Sequence, residues 1–528
     1  MTTERGGFVQ LHKGVGAPAD EASRMTPTRI RRPLFAFTAL LVFASFSGVP
    51  GLDAQTLPIG EIAQNFQLVG HEPLMNRGMN AALAIHGNYA YVGSRTDGKP
   101  WGTELNLNNA GIMIVDISNP ADPNVVGQIG PPDEALTDQT SREMRVWPQQ
   151  DLLIVQNLSS NCSELIHECS PTGGTPDVFT FYDISGSRAT APVKVLTFDP
   201  PQNPHEFFLW IDPFNEDRAL MFIGPGGSRN MQVYDISPVI QRQQPVQLAN
   251  NSVGVPTGAL HSIGISTDGM RVYYSLLTGG FAMGDTSDFA NGIAGPATRL
   301  LTPSANRPTW AGPGAHSSVK VPGQDYALVT DEVYGEALQS PAFNPPHGCP
   351  WGWTRMIDIA DPAQPVVRAE FKLPQNNESF CETDVPRPFS SISAHNPTLT
   401  DEIAFISWHA GGLQAVDLDD PAAPTQAGQY VPAPLAAVTQ EDPVLSSGQD
   451  KVVVWSYPII RDGLIYVTDV RNGLYILRYT GEDAASVDAV DFLEGNSNLG
   501  DALRFEPPDP CERNPVPPGY EEECAVTP

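Results

Sequence analysis

The stretch Gly111-Ile-Met-Ile-Val-Asp-Ile-Ser-Asn-Pro-Ala-Asp-Pro-Asn-Val-Val-Gly-Gln-Ile129 returns later in the chain as Gly412-Leu-Gln-Ala-Val-Asp-Leu-Asp-Asp-Pro-Ala-Ala-Pro-Thr-Gln-Ala-Gly-Gln-Tyr430. Each copy is a short apolar strand that ends in aspartate, followed by a turn that contains proline and by a second strand. Shorter copies lie between these two, at Thr180–Ser185, Gln232–Ser237 and Arg355–Pro362. A repeat with a period of about 40 to 60 residues predicts a propeller or a repeat array.

The aspartate at the end of each strand is predicted to be structural. Its carboxylate can accept hydrogen bonds from backbone N–H groups of the turn that it opens. This folding role, in preference to a catalytic one, is assigned to Asp116, Asp183, Asp235, Asp358 and Asp417. The repeats resemble the LVIVD-repeat family, which is named for such a strand and is common in exported bacterial proteins. The resemblance spans most of residues 60 to 480, implies a β-propeller, and is nearly silent on chemistry.

The number of blades follows from a second strand that lies upstream of each repeat. Seven segments share its pattern: Ala90–Gly93, Leu153–Gln156, Met221–Gly224, Val272–Ser275, Ala327–Thr330, Ala404–Ser407 and Ile465–Thr468. The last repeat, Gly473–Tyr479, has no outer strand after it, and Asn65–His71 near the N-terminus supplies the missing pattern. We therefore predict an all-β fold, a seven-bladed β-propeller over residues 60–482 that is closed by its N-terminal strand.

Residues 1–54 are predicted to be an N-terminal extension and signal peptide. Basic residues precede an apolar run from Pro33 to Phe46, and this run of about 14 residues is short of a membrane span. An uncleaved membrane anchor is the alternative, and Met25 is an alternative start. Two other regions are expected outside the ring: Phe281–Gly312, an insertion where blade four would carry its Asp repeat, and residues 483–528, an acidic, proline-rich surface tail.

The composition restricts the partners and the compartment. The 528 residues include 30 basic and 60 acidic side chains, and the net charge of -30 disfavours nucleic acid and anionic membranes as partners. The 47 glycines and 51 prolines favour short strands and tight turns over long helices. No segment after the predicted signal is long and apolar enough to span a membrane, so we expect a secreted or periplasmic protein. We also expect it to be a monomer.

The six cysteines agree with export, because all lie beyond the signal and their number is even. None has the C-x-x-C spacing of a structural zinc site. The local pairings that the spacing favours are Cys162 with Cys169 and Cys511 with Cys524, which would leave Cys349 with Cys381. Spacing does not decide among the fifteen pairings that six cysteines allow.

A ring of polar residues is predicted around the channel, because the first strand of every propeller blade runs along the central axis. Counting back from the seven aligned strands gives, in blade order, Asn80, Arg142, His205, His261, His316, His395 and Ser456. Four of the ten histidines thus fall at one register of four successive blades. Imidazole binds zinc, copper, iron and nickel, so their convergence predicts a metal site without carboxylate or thiolate. A hydrogen-bonded polar belt that holds water and a mistaken alignment are the alternatives.

Two groups of seven-bladed enzymes are similar in this arrangement. Bacterial methanethiol oxidases of the selenium-binding protein family are thought to use copper with histidine, and carotenoid-cleaving oxygenases hold iron with four histidines on the axis. The similarity implies copper or iron as the cofactor of a metal-dependent oxidoreductase that acts on a small organic or sulfur compound. Outside the ring this sequence resembles neither group, and no catalytic residues are carried over from them. The ligands of the hypothesis are the four aligned histidines, His205, His261, His316 and His395, while Arg142, Asn80 and Ser456 would orient substrate or oxygen.

No general base is assignable from the sequence. Glu206 follows His205 directly on a strand and is expected to point to the opposite face. His409 is predicted to pack in a loop or between blades, not to serve as a fifth ligand. The competing hypothesis is a non-catalytic propeller that binds a protein or a glycan at the cell surface.

Overall fold

The computed structural model describes residues 60–95, 111–130, 141–158, 177–225, 227–333, 352–377, 379, 392–442, 445–446 and 451–525. The chain divides into two units, Met1–Asp53 and Ala54–Pro528, and all described residues belong to the second. The predicted signal peptide and the cysteines Cys162, Cys169, Cys349 and Cys381 lie outside the described residues, so the signal and the pairing of these cysteines stay predictions.

Six blades are antiparallel sheets of four strands that follow one another in the chain, and the first strands contact each other around the axis. In blade order they are β3 (Asn80–His86), β4 (Tyr89–Ser94), β5 (Ile112–Asp116), β6 (Asn124–Ile129); β7 (Glu143–Trp147), β8 (Leu152–Asn157), β9 (Val178–Asp183), β10 (Val193–Phe198); β11 (Glu206–Asp212), β12 (Asn215–Gly224), β13 (Asn230–Asp235), β14 (Val246–Ser252); β15 (Ser262–Ile265), β16 (Arg271–Ser275), β17 (Phe281–Asp285), β18 (Arg299–Leu300); β19 (Ser317–Lys320), β20 (Tyr326–Thr330), β21 (Thr354–Asp358), β22 (Val366–Phe371); and β23 (Pro397–Leu399), β24 (Ile403–Ser407), β25 (Leu413–Asp417), β26 (Thr425–Val431).

Blade seven combines the two ends of the chain. Its strands are β27 (Ile459–Arg461), β28 (Leu464–Asp469), β29 (Gly473–Tyr479) and the N-terminal β2 (Phe66–Glu72). β2 pairs antiparallel with β29, from Phe66 opposite Tyr479 to Glu72 opposite Leu474. This pairing confirms the predicted closure of a seven-bladed propeller. A further strand, β1 (Ile62–Gln64), extends blade six by pairing with β26.

The turn aspartates make the predicted hydrogen bonds. In each of the five repeats a carboxylate oxygen accepts from the backbone N–H two residues later at 2.8–3.1 Å, in the pairs Asp116 with Ser118, Asp183 with Ser185, Asp235 with Ser237, Asp358 with Ala360, and Asp417 with Asp419. These bonds occupy backbone donors that would otherwise lack partners where the chain leaves each third strand.

Blade four also carries an Asp repeat, so the prediction that an insertion replaces it was wrong. β17 ends in Asp285, which accepts from the N–H of Ser287 at 2.8 Å. The strand reads Phe-Ala-Met-Gly-Asp, and its glycine and alanine hide the apolar pattern of the other copies. The extra length comes after this repeat, where the outer strand β18 has only two residues.

The C-terminal segment joins the ring, whereas the sequence predicted a surface tail. β30 (Phe492–Glu494) pairs with β27 on the edge that faces the axis. Asn498 then exchanges hydrogen bonds with the backbone of Ile211 in β11, at 2.8 and 2.7 Å. The disulfide between Cys511 and Cys524 confirms that local pairing and fits an oxidising compartment. Composition suggested a tail because acidic residues and proline outnumber the few apolar side chains that anchor the segment.

The core lies between neighbouring blades. Tyr91 and Ile114 of blade one, for example, share a buried apolar cluster with Met144 and Leu153 of blade two. Burial of such faces holds the first strands rigidly around the axis. The described α-helices are short, α1 (Ser287–Ala290), α2 (Ala484–Asp488), α3 (Ala502–Phe505) and α4 (Glu521–Cys524), and short 3-10 turns such as Ser237–Gln241 lie between strands. No helix in the described ranges has the length and apolar character needed to cross a membrane.

Candidate metal centre

Four histidines meet at the end of the channel where the first strands of blades three to six begin. The backbone N–H of each histidine donates a hydrogen bond of 2.7–2.9 Å to the carbonyl of a residue at the end of the second strand of the same blade. The pairs are His205–Gly224, His261–Ser275, His316–Thr330 and His395–Ser407. This shared bond holds the four residues at one register. Their rings form a continuous row from His205 to His395, with successive centroids 4.4, 4.0 and 4.6 Å apart.

Two further residues complete the cluster. Glu332 follows β20 and His409 follows β24, so both enter from second-strand ends at the same end of the channel. The Glu332 carboxylate places Oε2 3.0 Å from His316 Nε2, and Oε1 3.4 Å from His395 Nε2 and 3.0 Å from His409 Nε2. The cluster therefore contains a carboxylate, which the sequence prediction left out. His409, expected to be a packing residue, contacts that carboxylate directly.

A tight turn directs His409 inward. The Trp408 N–H donates to the Gly412 carbonyl at 2.8 Å, and the Gly412 N–H donates to the His409 carbonyl at 3.0 Å. His409 has a φ of 40°, in the left-handed region that few residues other than glycine adopt. Its backbone also exchanges two 3.1 Å hydrogen bonds with Val454 of blade seven. Fixed on both sides, the His409 side chain is fully buried.

Hydrogen bonds at Nδ1 orient three of the imidazoles. The partners are the Ser317 hydroxyl for His316 (2.9 Å), the Trp455 carbonyl for His395 (2.6 Å) and the Ser393 hydroxyl for His409 (3.2 Å). Bonds of this kind set the tautomer and ring orientation of metal-ligating histidines. Since all three Nδ1 atoms are engaged, the three Nε2 atoms are directed at the Glu332 carboxylate.

Glu206 faces the cluster too, which corrects the expectation from strand alternation. Its Oε1 lies 3.7 Å from His261 Nδ1 and 3.9 Å from His316 Nε2. Alternation separates side chains between the two faces of one sheet, but each face of a propeller blade packs against the next blade. Glu206 in blade three therefore meets His261 in blade four. The Nε2 atoms of His205 and His261 are 2.8 Å apart, which places His205 at the outer end of the row.

Burial lowers the pKa of three of the histidines, His205, His395 and His261. It lowers the pKa of His205 to about 3, and the nearby Arg142 guanidinium adds to this effect. Burial also holds the pKa of His395 well below its ordinary value, although Glu332 opposes the shift. At neutral pH these imidazoles thus offer a lone pair, as metal ligation requires.

The carboxylates act most strongly on His316. Burial opposes its charged form, but Glu332 and Glu206 outweigh burial and raise the pKa of His316. Burial likewise opposes the charged form of Glu332, while His395 and His316 outweigh it and hold the pKa of Glu332 well below its usual range. Without a metal, Glu332 and a protonated His316 would form a buried ion pair. A cation bound among the Nε2 atoms would replace that proton.

Arg142 and Trp455 lie beside the centre. The Trp455 ring stacks on His409, with centroids 5.4 Å apart and planes 6° from parallel, and its centroid is 4.1 Å from that of His395. The Arg142 guanidinium carbon lies 5.6 Å from the centre of the same indole. The backbone N–H of Trp455 donates to the Thr468 carbonyl at 2.9 Å. This is the same backbone hydrogen bond that each of the four histidines makes in its own blade. Trp455 therefore occupies this register in blade seven.

Asn80 and Ser456 are engaged elsewhere. Asn80 Oδ1 accepts from Arg77 Nε at 2.7 Å, and its amide donates to the Asp469 carbonyl at 3.2 Å. Ser456 Oγ accepts from the Thr468 N–H at 3.0 Å. No hydrogen bond or ring contact found within the described ranges joins either side chain to a histidine of the cluster.

A sequence signal for Glu332 and His409 exists in hindsight. Each lies two residues after an aligned second strand, Ala327–Thr330 or Ala404–Ser407, and Arg95 holds the same offset after Ala90–Gly93. A second ring drawn at this offset would have selected both residues. The residue type at the offset changes from blade to blade, so only the position is shared.

The residues present fit a transition-metal ion. The ligand atoms of His316, Glu332 and His395 lie within 4.8 Å of one another, as do those of Glu206, His261 and His316. Imidazole nitrogen with carboxylate oxygen is a donor set of iron, zinc and copper sites. His316 belongs to both groups through one Nε2 atom, and its Nδ1 is engaged by Ser317, so it can serve only one group at a time.

The LVIVD repeat model matches residues 77–98 and 107–129, so the chain carries LVIVD repeats within its seven-bladed propeller. Among curated proteins no relative matches. Similar solved structures include the periplasmic gluconolactonase PpgL of Pseudomonas aeruginosa, with 10% identity over 67% of this chain and 86% of that chain and a TM-score of 0.45. Sqt1 of Saccharomyces cerevisiae has 10% identity over 78% and 98%, TM-score 0.43. Sqt1 of Chaetomium thermophilum has 13% identity over 78% and 86%, TM-score 0.41. Likeness at this level says nothing about function, and the resemblance to selenium-binding proteins is not shown by these matches.

Proposed function

We propose that the protein is an exported propeller that binds iron or copper at its axial centre and oxidises a small organic or sulfur compound there. The ligands in this proposal are Nε2 of His316, His395 and His409 together with the Glu332 carboxylate. One observation carries it: three imidazoles, each anchored at Nδ1, direct Nε2 at a single buried carboxylate. The oxidant in this proposal is dioxygen, and a bound iron or copper ion would supply the redox chemistry that passes electrons from the substrate to it.

The ligand set differs from the four histidines expected from the sequence. His205 lies at the far end of the row, so its role passes to His409, and His261 faces Glu206. A carboxylate among imidazoles is a more usual environment for iron than for copper in its reduced state. Iron is therefore the first metal to test and copper the second.

Other residues of the chain have supporting roles. Burial raises the pKa of Glu206 to about 7, so its Oε1 is placed to accept or return a proton near neutral pH. Trp455 covers His395 and His409 on one side and excludes water from them. Among the three residues predicted to orient a substrate, Arg142 lies beside the centre, and we assign it the role of attracting an anionic or electron-rich group.

Metal analysis of purified protein tests the proposal. The protein is reconstituted with iron(II) or copper(II), desalted, and analysed by plasma mass spectrometry. We expect one ion per chain, retained in His86→Gln, which alters a histidine paired with Asp151 away from the cluster, and lost in Glu332→Gln and His409→Gln. Oxygen uptake with small thiols and alcohols should follow the metal content. Failure of the wild-type protein to retain either metal would overturn the metal proposal and favour the non-catalytic binding propeller.

A further inference from the structure

A cavity of about 300 Å³ opens at the other end of the axial channel. Its walls include the turns between the first and second strands of blades one and two, together with Arg461, Phe492, Glu494 and Leu499. These turns follow the first strands, whereas the histidines precede them. The cavity is thus separated from the metal centre by the length of a first strand. Its volume is at the lower end of the range of small-molecule sites, roughly 300–1,000 Å³.

Strand pairing places opposite charges on one face of the cavity. In the β27–β30 ladder Arg461 is opposite Phe492, and Ile459 is opposite Glu494. Directly opposed residues of antiparallel strands share a face, as do residues two apart on one strand. Arg461, Phe492 and Glu494 therefore face the same side. The Cα positions of Arg461 and Glu494 differ by two residues along the ladder, roughly 7 Å.

Glu494 is the buried end of this pair. It is 4% exposed, and its Oε1 has no hydrogen-bond partner within the part of the chain that the structure describes. Burial raises the pKa of Glu494, and two groups oppose this rise: Arg145, which also binds Glu143 at 3.1 Å, and the Ser497 hydroxyl, which donates to the Glu494 carboxyl group. A buried carboxylate oxygen without a partner is costly, and a cation in the cavity would remove that cost.

Arg461 is the open end. Its side chain is 20% exposed, and Nε lies 3.3 Å from Asp462, a 70% exposed aspartate. Such a pair is weak in water, so the guanidinium stays available to a carboxylate ligand. The apolar part of the lining comprises Ile85, Val146, Phe492 and Leu499, and the polar side chains of His86 and Gln149 also line the cavity.

We propose that this cavity binds a small zwitterion with an apolar side chain, an amino acid such as leucine. The ammonium group would lie at Glu494, the carboxylate at Arg461, and the side chain against the apolar walls. This site does not depend on the proposed metal centre.

Calorimetric titration of the full chain with leucine tests the proposal, with two analogues that each lack one charge, isopentylamine and 4-methylpentanoate. We expect saturable binding of leucine, with a Kd at or below about 1 mM, and at least tenfold weaker binding of both analogues. Glu494→Gln and Arg461→Gln should each weaken leucine binding tenfold or more. Arg478→Gln, an exposed arginine on β29 that pairs with Asp488, should leave it unchanged.

Two results would overturn the proposal: no heat with leucine at about 10 mM, or equal binding by the wild type and Arg461→Gln. Arg461 is at the rim, so its variant keeps the test decisive even if Glu494→Gln fails to fold. The metal content of the same samples should be unchanged, because neither variant alters the histidine cluster. The leucine proposal and the metal proposal can therefore fail independently of each other.

Discussion

The two ends of the axial channel are built in different ways. At one end, His205, His261, His316 and His395 stand at equivalent positions of four successive blades, and each is held by the same backbone hydrogen bond. At the other end, a single segment that occurs once in the chain pairs with blade seven through β30 and reaches blade three through Asn498. Chemistry carried by a repeat can be found by aligning the sequence with itself. Chemistry made by a unique segment requires the three-dimensional structure.

The largest effect is expected from Glu332→Gln at the histidine end. The change keeps the side-chain size but removes the charge shared by three imidazoles, so metal affinity should fall by more than about 100-fold, beyond the effect of losing a group that only orients a ligand. Competition with a chromophoric chelator measures it. His205→Gln changes the histidine at the outer end of the row and should lower metal affinity by less than about tenfold. Equal losses in the two variants would contradict a centre focused on Glu332.

Ser317→Ala should have the next largest effect, because it removes the hydroxyl that orients His316 through Nδ1. Metal affinity should fall about 10–100-fold while saturation still reaches one ion per chain. The matched control is Ser497→Ala, which alters a serine at the opposite end of the channel. If both serine variants bind metal like the wild type, orientation of His316 does not matter for the centre.

Gly495→Ala tests the packing of the C-terminal segment. A Cβ at this position would lie 2.0 Å from the Pro397 carbonyl oxygen, so the C-terminal segment must shift away from blade six. Overpacking of this kind should lower the free energy of unfolding by about 1–3 kcal/mol, seen as a lower urea midpoint. Gly60→Ala, where the added Cβ meets no atom within 4 Å, is the control. Equal urea midpoints for the two variants would contradict close packing of the C-terminal segment against blade six.

The smallest effect is expected at the repeats that support both ends. Asp116→Ala removes the carboxylate that accepts from Ser118 and should cost about 0.5–1.5 kcal/mol of unfolding free energy, against no measurable cost for Asp122→Ala in the same turn. Hydrogen bonds from Ser118 lower the pKa of Asp116 in the folded chain. Its contribution is therefore present above the unfolded-state pKa, about 3.9, and is lost as the pH falls further. Urea titrations should show the wild type and Asp116→Ala converging in acid; a constant difference would contradict this.

The outcomes for particular residues show where self-alignment failed. It failed for Asp285 because the strand before it contains glycine and alanine in place of branched apolar residues. The expectation for Glu206 came from strand alternation and was wrong because a rule for one isolated sheet ignores the neighbouring blade. Self-alignment failed for Ser456 because the chain before β27 is irregular, and Trp455 makes the register-setting hydrogen bond in its place.

The amino-acid sequence by itself determined the seven blades, their closure by β2 and the shared level of four histidines. These follow from patterns that recur at a fixed spacing, and each repeated strand can bury its apolar face only against the next copy. Only the tertiary structure decided that Glu332, His409 and Glu206 join those histidines and that Phe492, Glu494 and Leu499 line the cavity at the opposite end of the channel. The physical reason is that loops and terminal segments take their positions from packing between blades, a long-range effect that no local pattern records.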